Sequence, residues 1–347
     1  MTMRRILKNP DPKLFDYQDH VDRLSKRLTS LDHLNEFIDW KSFRRYLRRP
    51  FKNQSHDKGG RPAFDEIFMF KILVLQRIHD LSDEQTDLAV MERLTWHRFL
   101  GVHVGCRFPN KNTIWDFRQA LIEHDVFTAC FTSFFKQIEA RGVRLQSGKV
   151  VDATFVEVPK QRNSASENEQ IKNDDVPTEW ESADNKPKLR QKDTDARWTK
   201  KRGISYFGYK NHTKIDQQTK LIESCVFTQA HVHDSQVLFD LLSPGDKRLY
   251  GDAAYWSKDI AERLKEMGIQ NWICEKGKRN TPLTERQMET NATKSSIRSR
   301  VEHVYGTMKK KFNGTQQRWI GFKRNAGMAI FTNLIYNMDR LRYIAGR

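Results

Sequence analysis

The chain has 347 residues, room for one large domain or two ordinary ones at about 150 residues each, and sets 61 Lys and Arg against 44 Asp and Glu. A net charge of +17 is more than small-molecule chemistry needs; it reads as a footprint for DNA phosphates, which Lys and Arg neutralise with release of counterions, or as charge that merely keeps the protein dispersed. Four scattered cysteines exclude a Cys-x-x-Cys zinc knuckle and a disulfide framework and fit a reducing cytosol; no apolar run approaches the ~20 residues of a membrane span, and MTMRRILKNPDPK has no apolar signal core.

In chain order, the first sixty residues are charged and broken. Arg44, Arg45, Arg48, Arg49 and Lys52 cluster before the breaker at Gly59 to Pro62, and read equally as a solvated helix face or as a phosphate-contacting arm. FDEIFMFKILVLQRIHDL is apolar on nearly all sides, as in a buried helix. Ser82 and Gln85 form a capping box that opens a helix with Leu88, Met91 and Leu94 on one face. NKNTIWDFRQALIEHDVFTACFTSFFKQIEARG supplies one or two more helices, with Ile114, Phe117 and Leu121 spaced for a core. The expectation is an all-helical unit over 61–142 that could present a helix to a major groove.

Strands begin after Gly148 with KVVDATFVEV, bounded by Gly148 and Pro159. The polar stretch from 160 to 203 reads as loop or partial disorder. ISYFGYKNHTKID and KLIESCVFTQA form two strands around an Asp216 to Thr219 turn. SQVLFDLL reads as a short helix, KRLYGDAAY as a strand running into a turn, SKDIAERLKEMG as a helix capped by Ser257, NWICEK as a strand, and Lys294 to Phe312 as one long helix. That order predicts an α/β domain over 145–345, a mixed sheet with helices packed on it.

Three carboxylates stand out. Asp152 falls in mid-strand among Val150, Val151 and Phe155, where Asp is disfavoured and a lone buried charge is costly. Asp252 ends the segment Leu249-Tyr250-Gly251, at the carboxyl end of a strand, beside small residues that leave space for a ligand. Glu302 shares a helical stripe with Ser295, Arg298, Tyr305 and Lys309, which reads as a surface ion pair or as an acid flanked by phosphate-binding cations. Separated carboxylates suit Mg²⁺, which keeps several waters; two such ions about 4 Å apart can serve in-line displacement at phosphorus. His231 and His233 have no third soft ligand nearby and read as polar loop residues. No Walker-type loop is present.

VVDATFVEVPKQRN, YFGYKNHTKID, HVHDS, YGDAAY and RSRVEHVYGTMKKKF, in this order, resemble bacterial insertion-sequence transposases of the DDE superfamily, closest to insertion sequence family five. RPAFDEIFMFKILVLQRIHDLSDEQ and FPNKNTIWDFRQAL resemble that family's N-terminal helical domain. The resemblance implies a ribonuclease-H-like mixed sheet with flanking helices, preceded by a basic arm (1–60) and a helical DNA-binding domain (61–142), with a polar insertion at 160–203. It implies Asp152, Asp252 and Glu302 as catalytic, metal-holding residues for two Mg²⁺ ions, with Mn²⁺ as a substitute. Arg298, Lys309, Lys310 and the Arg44, Arg45, Arg48 and Arg49 cluster are the expected DNA contacts. The family motif has Tyr where this chain has Ser295, and Tyr255 is the conceivable stand-in.

The implied function is binding of terminal inverted repeats in double-stranded DNA, then metal-dependent strand cleavage and transfer into target DNA. A homodimer in the synaptic complex, no membrane partner, and a cytoplasmic, nucleoid-associated location in a bacterium are expected. Two alternatives stand beside it: a ribonuclease-H-like nuclease without strand transfer, and a domesticated, catalytically silent DNA-binding protein.

Overall fold

The computed structural model describes residues 14–51, 62–182, 185–277 and 282–345. Lys52 and most of the expected breaker at Gly59 to Pro62 lie outside them. The stretch expected to be broken holds three helices, α1 (Asp16–Ser25), α2 (Ser30–Phe37) and α3 (Arg44–Leu47). Its sparse apolar residues explain the difference: Leu31, Leu34, Trp40, Phe43 and Leu47 all turn inward and are buried. They pack on α4 (Glu66–Ile78), where eight consecutive-turn residues from Met69 to Arg77 are buried, as the all-round apolar pattern predicts.

Next come α5 (Asp83–Glu92), α6 (Leu94–Leu100), α7 (Lys111–Glu123) and α8 (Val126–Ala140). The Ser82–Gln85 capping box forms in both directions, at 3.1 and 2.9 Å. The inward face of α5 differs from expectation: Thr86, Ala89 and Val90 are buried, while Leu88 and Met91 are about half exposed. Small side chains let α5 approach its neighbours, so the larger ones are left outside. Ile114, Phe117 and Leu121 are core residues as expected.

The sheet contains β1 (Gly148–Glu157), β2 (Arg197–Lys201), β3 (Ile204–Asp216), β4 (Ile222–Gln229), β5 (Arg248–Gly251) and β6 (Gln270–Ile273). Its order is β2-β3-β1-β5-β6, with β4 also paired to β3. β1 is antiparallel to β3 and parallel to β5, and β5 is parallel to β6, so the sheet is mixed. The 160–203 stretch is not all loop. It contains α9 (Ala165–Lys172), α10 (Lys186–Gln191) and β2. The Ser164–Glu167 capping box opens α9, and Glu167 also accepts bonds from buried Trp180 and from Lys188, both at 2.6 Å.

On the far side of the chain lie α11 (Leu238–Leu241), α12 (Lys258–Glu266), α13 (Glu285–Arg298), α14 (Arg300–Phe312) and α15 (Phe322–Ala345). The single long helix expected from Lys294 to Phe312 is two helices. A capping box at Thr284 and Gln287 starts α13 nine residues earlier, and the chain breaks at Ser299. The 24-residue α15 was not foreseen. One apolar cluster runs from Leu31 through α4, α7, α8 and α15 to the sheet residues Val150 and Tyr250. Polar side chains of α15 then fasten it to β3 and β4: Asn333 to Asn211 at 2.9 Å, and Asn337 to both backbone groups of Ile222 at 2.8 and 2.9 Å.

Candidate active site

Asp152 stands where sequence placed it, in the middle of β1, and its side chain is 13% exposed. β1 and β5 run parallel with Gly148 beside Arg248, Lys149 beside Leu249 and Val150 beside Tyr250. The same register continued by two residues sets Asp152 beside Asp252, just past the carboxyl end of β5. There the Asp252 carboxylate accepts the Ala254 amide at 2.8 Å and starts the short turn Ala253–Tyr255. Gly251 before it sits close to its neighbours: a Cβ there would lie 3.3 Å from Val151 and 3.4 Å from Tyr255, a tight fit.

Two acids thus share one end of the sheet. Burial pushes the Asp152 carboxyl up to about 6; the Ala153 amide and Arg298 oppose that shift, and neighbouring Asp252 adds to it. Glu302 is reached through Arg298. One guanidinium nitrogen of Arg298 donates to Asp152 at 3.0 Å and another to Glu302 at 2.8 Å. The i, i+4 pair survives the break at Ser299, and Glu302 itself is 60% exposed.

Tyr305 fixes this arrangement. Its hydroxyl donates to the Asp152 carbonyl at 2.7 Å and lies 2.8 Å from the Thr213 hydroxyl. Thr213 is the residue opposite Asp152 on β3, so one phenol ties α14 to both strands at the level of the acid. Burial, followed by the charge of Asp152, raises the Tyr305 pKa well above its usual value, so the hydroxyl keeps its proton.

The opposite face of β3 carries Lys210, His212 and Lys214, all buried. Lys210 donates to Asp234 at 2.8 Å, and Lys214 donates to Asp246 at 2.8 Å and to Ser243 at 2.9 Å. Burial depresses the His212 imidazole to about 4, against the pull of Asp234. Sequence reading missed these residues, although the polar run YKNHTK inside a strand was a signal. A polar residue on both faces of a central strand demands buried partners.

The remaining expected contacts divide. Tyr255 is fully buried among Val151, Leu249 and Ile273, so its ring cannot stack on DNA. Its hydroxyl is enclosed, and burial raises its pKa, with Asp234 and Asp152 contributing. Ser295 faces the Cys274 sulfur at 3.5 Å. Lys309 and Lys310 are exposed on the last turn of α14. Arg44 and Arg48 are committed to Asp65 and Glu66 at the start of α4, whereas Arg45 and Arg49 flank the Tyr46 ring at 4.5 and 4.8 Å. His233 bonds within its own turn to Ser235 at 2.8 Å, in keeping with a polar turn residue.

Among the described residues, no three His, Cys, Asp or Glu side chains gather as ligands for one ion, and Arg298 bridges Asp152 and Glu302. The donor chemistry nonetheless fits a hard divalent cation. Mg²⁺ is commonly held by one or two carboxylates together with water and substrate phosphate. Asp152 and Asp252 would supply that pair; burial raises the Asp152 carboxyl, and Arg298 offsets it only in part.

The described helices include none long and apolar enough to cross a membrane. Residues 144–338 match the family model described as the transposase DDE domain, and residues 17–120 match a second model described as a transposase domain. Among solved structures, the chain is similar to a piggyBac transposase synaptic complex with hairpin DNA, at 12% identity and a TM-score of 0.46, covering 93% of this chain and 77% of that one. That likeness is too distant to bear on the site. The DDE model alone spans more than half the chain, from just before β1 to the last turns of α15, and the chain therefore belongs to the DDE transposase family: it is a DNA transposase, an enzyme that cuts and transfers DNA strands.

Proposed function

We propose that Asp152, Asp252 and Glu302 are the catalytic carboxylates, acting with two Mg²⁺ ions at the ends of an insertion-sequence element of the family-five type. The observation that carries this reading is the nearness of Asp252, just past the end of β5, to the largely enclosed Asp152 on the neighbouring parallel strand β1, where Arg298 only partly offsets the Asp152 charge. The sheet order supports a ribonuclease-H-like domain: β1 is central, with β3 antiparallel to it and β4 antiparallel to β3 on one side, and β5 and β6 parallel to it on the other.

Asp152 and Asp252 would hold the metal, with Glu302 joining them when Arg298 turns to a substrate phosphate. Bound divalent ions would activate the attacking oxygen and stabilise the leaving one. The protein's own part is orientation. Tyr305 fixes the Asp152 backbone, Arg298 offers a planar two-pronged donor suited to phosphate, and Lys309 and Lys310 extend the basic surface along α14. The helical part and the exposed Arg45 and Arg49 would bind the terminal inverted repeats, and two copies would bring two ends together.

Purified protein with Mg²⁺ and DNA bearing the repeats that flank its own locus should release 3′-hydroxyl ends and join them to target DNA. Asp152→Asn should lower cleavage by at least ~10³-fold while DNA affinity stays within about twofold. Unchanged cleavage by that variant would overturn the assignment. Cleavage without joined products would favour a nuclease lacking strand transfer.

A further inference from the structure

β2 and β3 form a hairpin whose physical features are not used by the carboxylate site. Lys201 pairs with Ile204, leaving a two-residue loop of Arg202 and Gly203, with φ of +50° and +82°. Such primed turns favour Asn, Asp or Gly at the first position, and a longer side chain held there is strained. The chain nevertheless places a cation at the tip. From 196 to 215 there are six Lys or Arg and no Asp or Glu, and Lys200, Lys201 and Arg202 are exposed.

The hairpin also returns toward the site. Gly208, opposite Glu157, has φ of +142°, and a Cβ there would lie 2.3 Å from the Val156 carbonyl oxygen. Lys210 is the direct partner of Phe155, yet Tyr206, four residues earlier, stacks on Phe155 with ring centroids 4.2 Å apart and planes 11° apart. β3 therefore turns at Gly208 and lays the hairpin over β1. Lys201 comes to 5.6 Å from the Phe155 ring centre; Phe155 alternates to the face of β1 opposite Asp152, but Lys201 at the open edge past the end of β5 is near enough for its charge to act on Asp152.

We propose that the β2–β3 hairpin is a phosphate clamp for the DNA strand entering the cleavage site, with Lys200, Lys201 and Arg202 on the phosphates flanking the scissile one. The Tyr206–Phe155 stack and Gly208 hold it in place. The assignment of the location rests on Asp152 marking the cleavage site. The occupant is a nucleic-acid backbone because every charged residue of the exposed tip is a cation, beside exposed Ile204, and no acid is there to bind a basic partner.

The test compares wild type with the variant combining Lys200→Ala, Lys201→Ala and Arg202→Ala, on duplex DNA bearing the element's end. The three side chains are exposed, and an unchanged melting temperature shows that the fold is kept. The slope of log affinity against log salt should fall by about two to three in the variant. Hydroxyl-radical protection should disappear at the nucleotides flanking the cut and persist elsewhere. Tyr206→Ala, which frees the hairpin without removing charge, should blur the same protection, and Tyr206→Phe should preserve it. An unchanged slope and footprint, or lost protection only far from the cut, would overturn the clamp. The two readings fail separately: cleavage by Asp152→Asn sinks the carboxylate site, and an intact footprint in the hairpin variant sinks the clamp alone.

Discussion

Two partly enclosed acids, one in each half of the molecule, meet opposite fates. Asp83, at the start of α5, receives both guanidinium arms of fully buried Arg118, at 2.5 and 2.8 Å, and an amide from Gln76 at 2.7 Å. Burial pushes its pKa upward, but those bonds and the charge of Arg118 outweigh it, so the carboxyl ends below its usual value. Asp152 has one arm of a guanidinium whose other arm serves Glu302, and a second acid stands beside it. There burial wins. Enclosing an acid is therefore not itself what distinguishes the proposed site; leaving its charge incompletely answered is.

The largest effect that could break this comparison lies in the helical half. Arg118→Ala would strand Asp83 and remove the cation over the Trp319 ring, 4.2 Å from its centre. It should cost roughly 3 kcal/mol of stability, the low end for loss of one partner of a buried pair, because Asp83 keeps some contact with water. Urea unfolding measures it, and a cost below about 1 kcal/mol would show that the Asp83 pair is not the satisfied structural one described.

At Asp152 the sign reverses. The folded protein keeps this proton up to about 6, whereas the unfolded chain releases it near 3.8. The folded state thus binds the extra proton between those values, and stability is lost as pH rises through that window. Asp152→Asn should stabilise the metal-free protein relative to wild type by a margin that grows from pH 4 to pH 6 and then levels off, on the order of 2–3 kcal/mol before the weakened Arg298 contact is deducted. A margin that shrinks with rising pH would contradict the raised carboxyl.

Tyr305→Phe probes the smallest effect, the fixing of the strand beneath the acid. Loss of the bonds to the Asp152 carbonyl and Thr213 should cost about 1 kcal/mol and slow turnover without weakening DNA binding. Equal turnover at saturating DNA would remove Tyr305 from the account.

Much of this was readable in the sequence because it is local. An acid amid Val150, Val151 and Phe155, a capping box at Ser82, and an Asp at a strand end before two alanines each announce themselves within a few residues. What escaped depends on distant partners. The break at Ser299 has no Pro or Gly beside it. Buried Asn325, Thr332, Asn333 and Asn337 blur the apolar period of α15, because their partners lie in other elements or within the helix itself. Tyr255 looked free as a short loop's aromatic, yet the end of β5 leaves a space that its ring fills. The insertion looked structureless because its apolar residues are few, although the Ser164–Glu167 cap was there to be read.

The central claim is that Asp152 and Asp252 form a carboxylate pair short of positive charge and suited to a divalent cation. Titrating DNA-free protein with Mn²⁺ while following the electron paramagnetic resonance of the free ion tests it without relying on activity. Wild type should take up Mn²⁺ saturably, with Mg²⁺ competing, and Asp152→Asn and Asp252→Asn should each lose that uptake. Equal uptake by wild type and both variants would contradict the account.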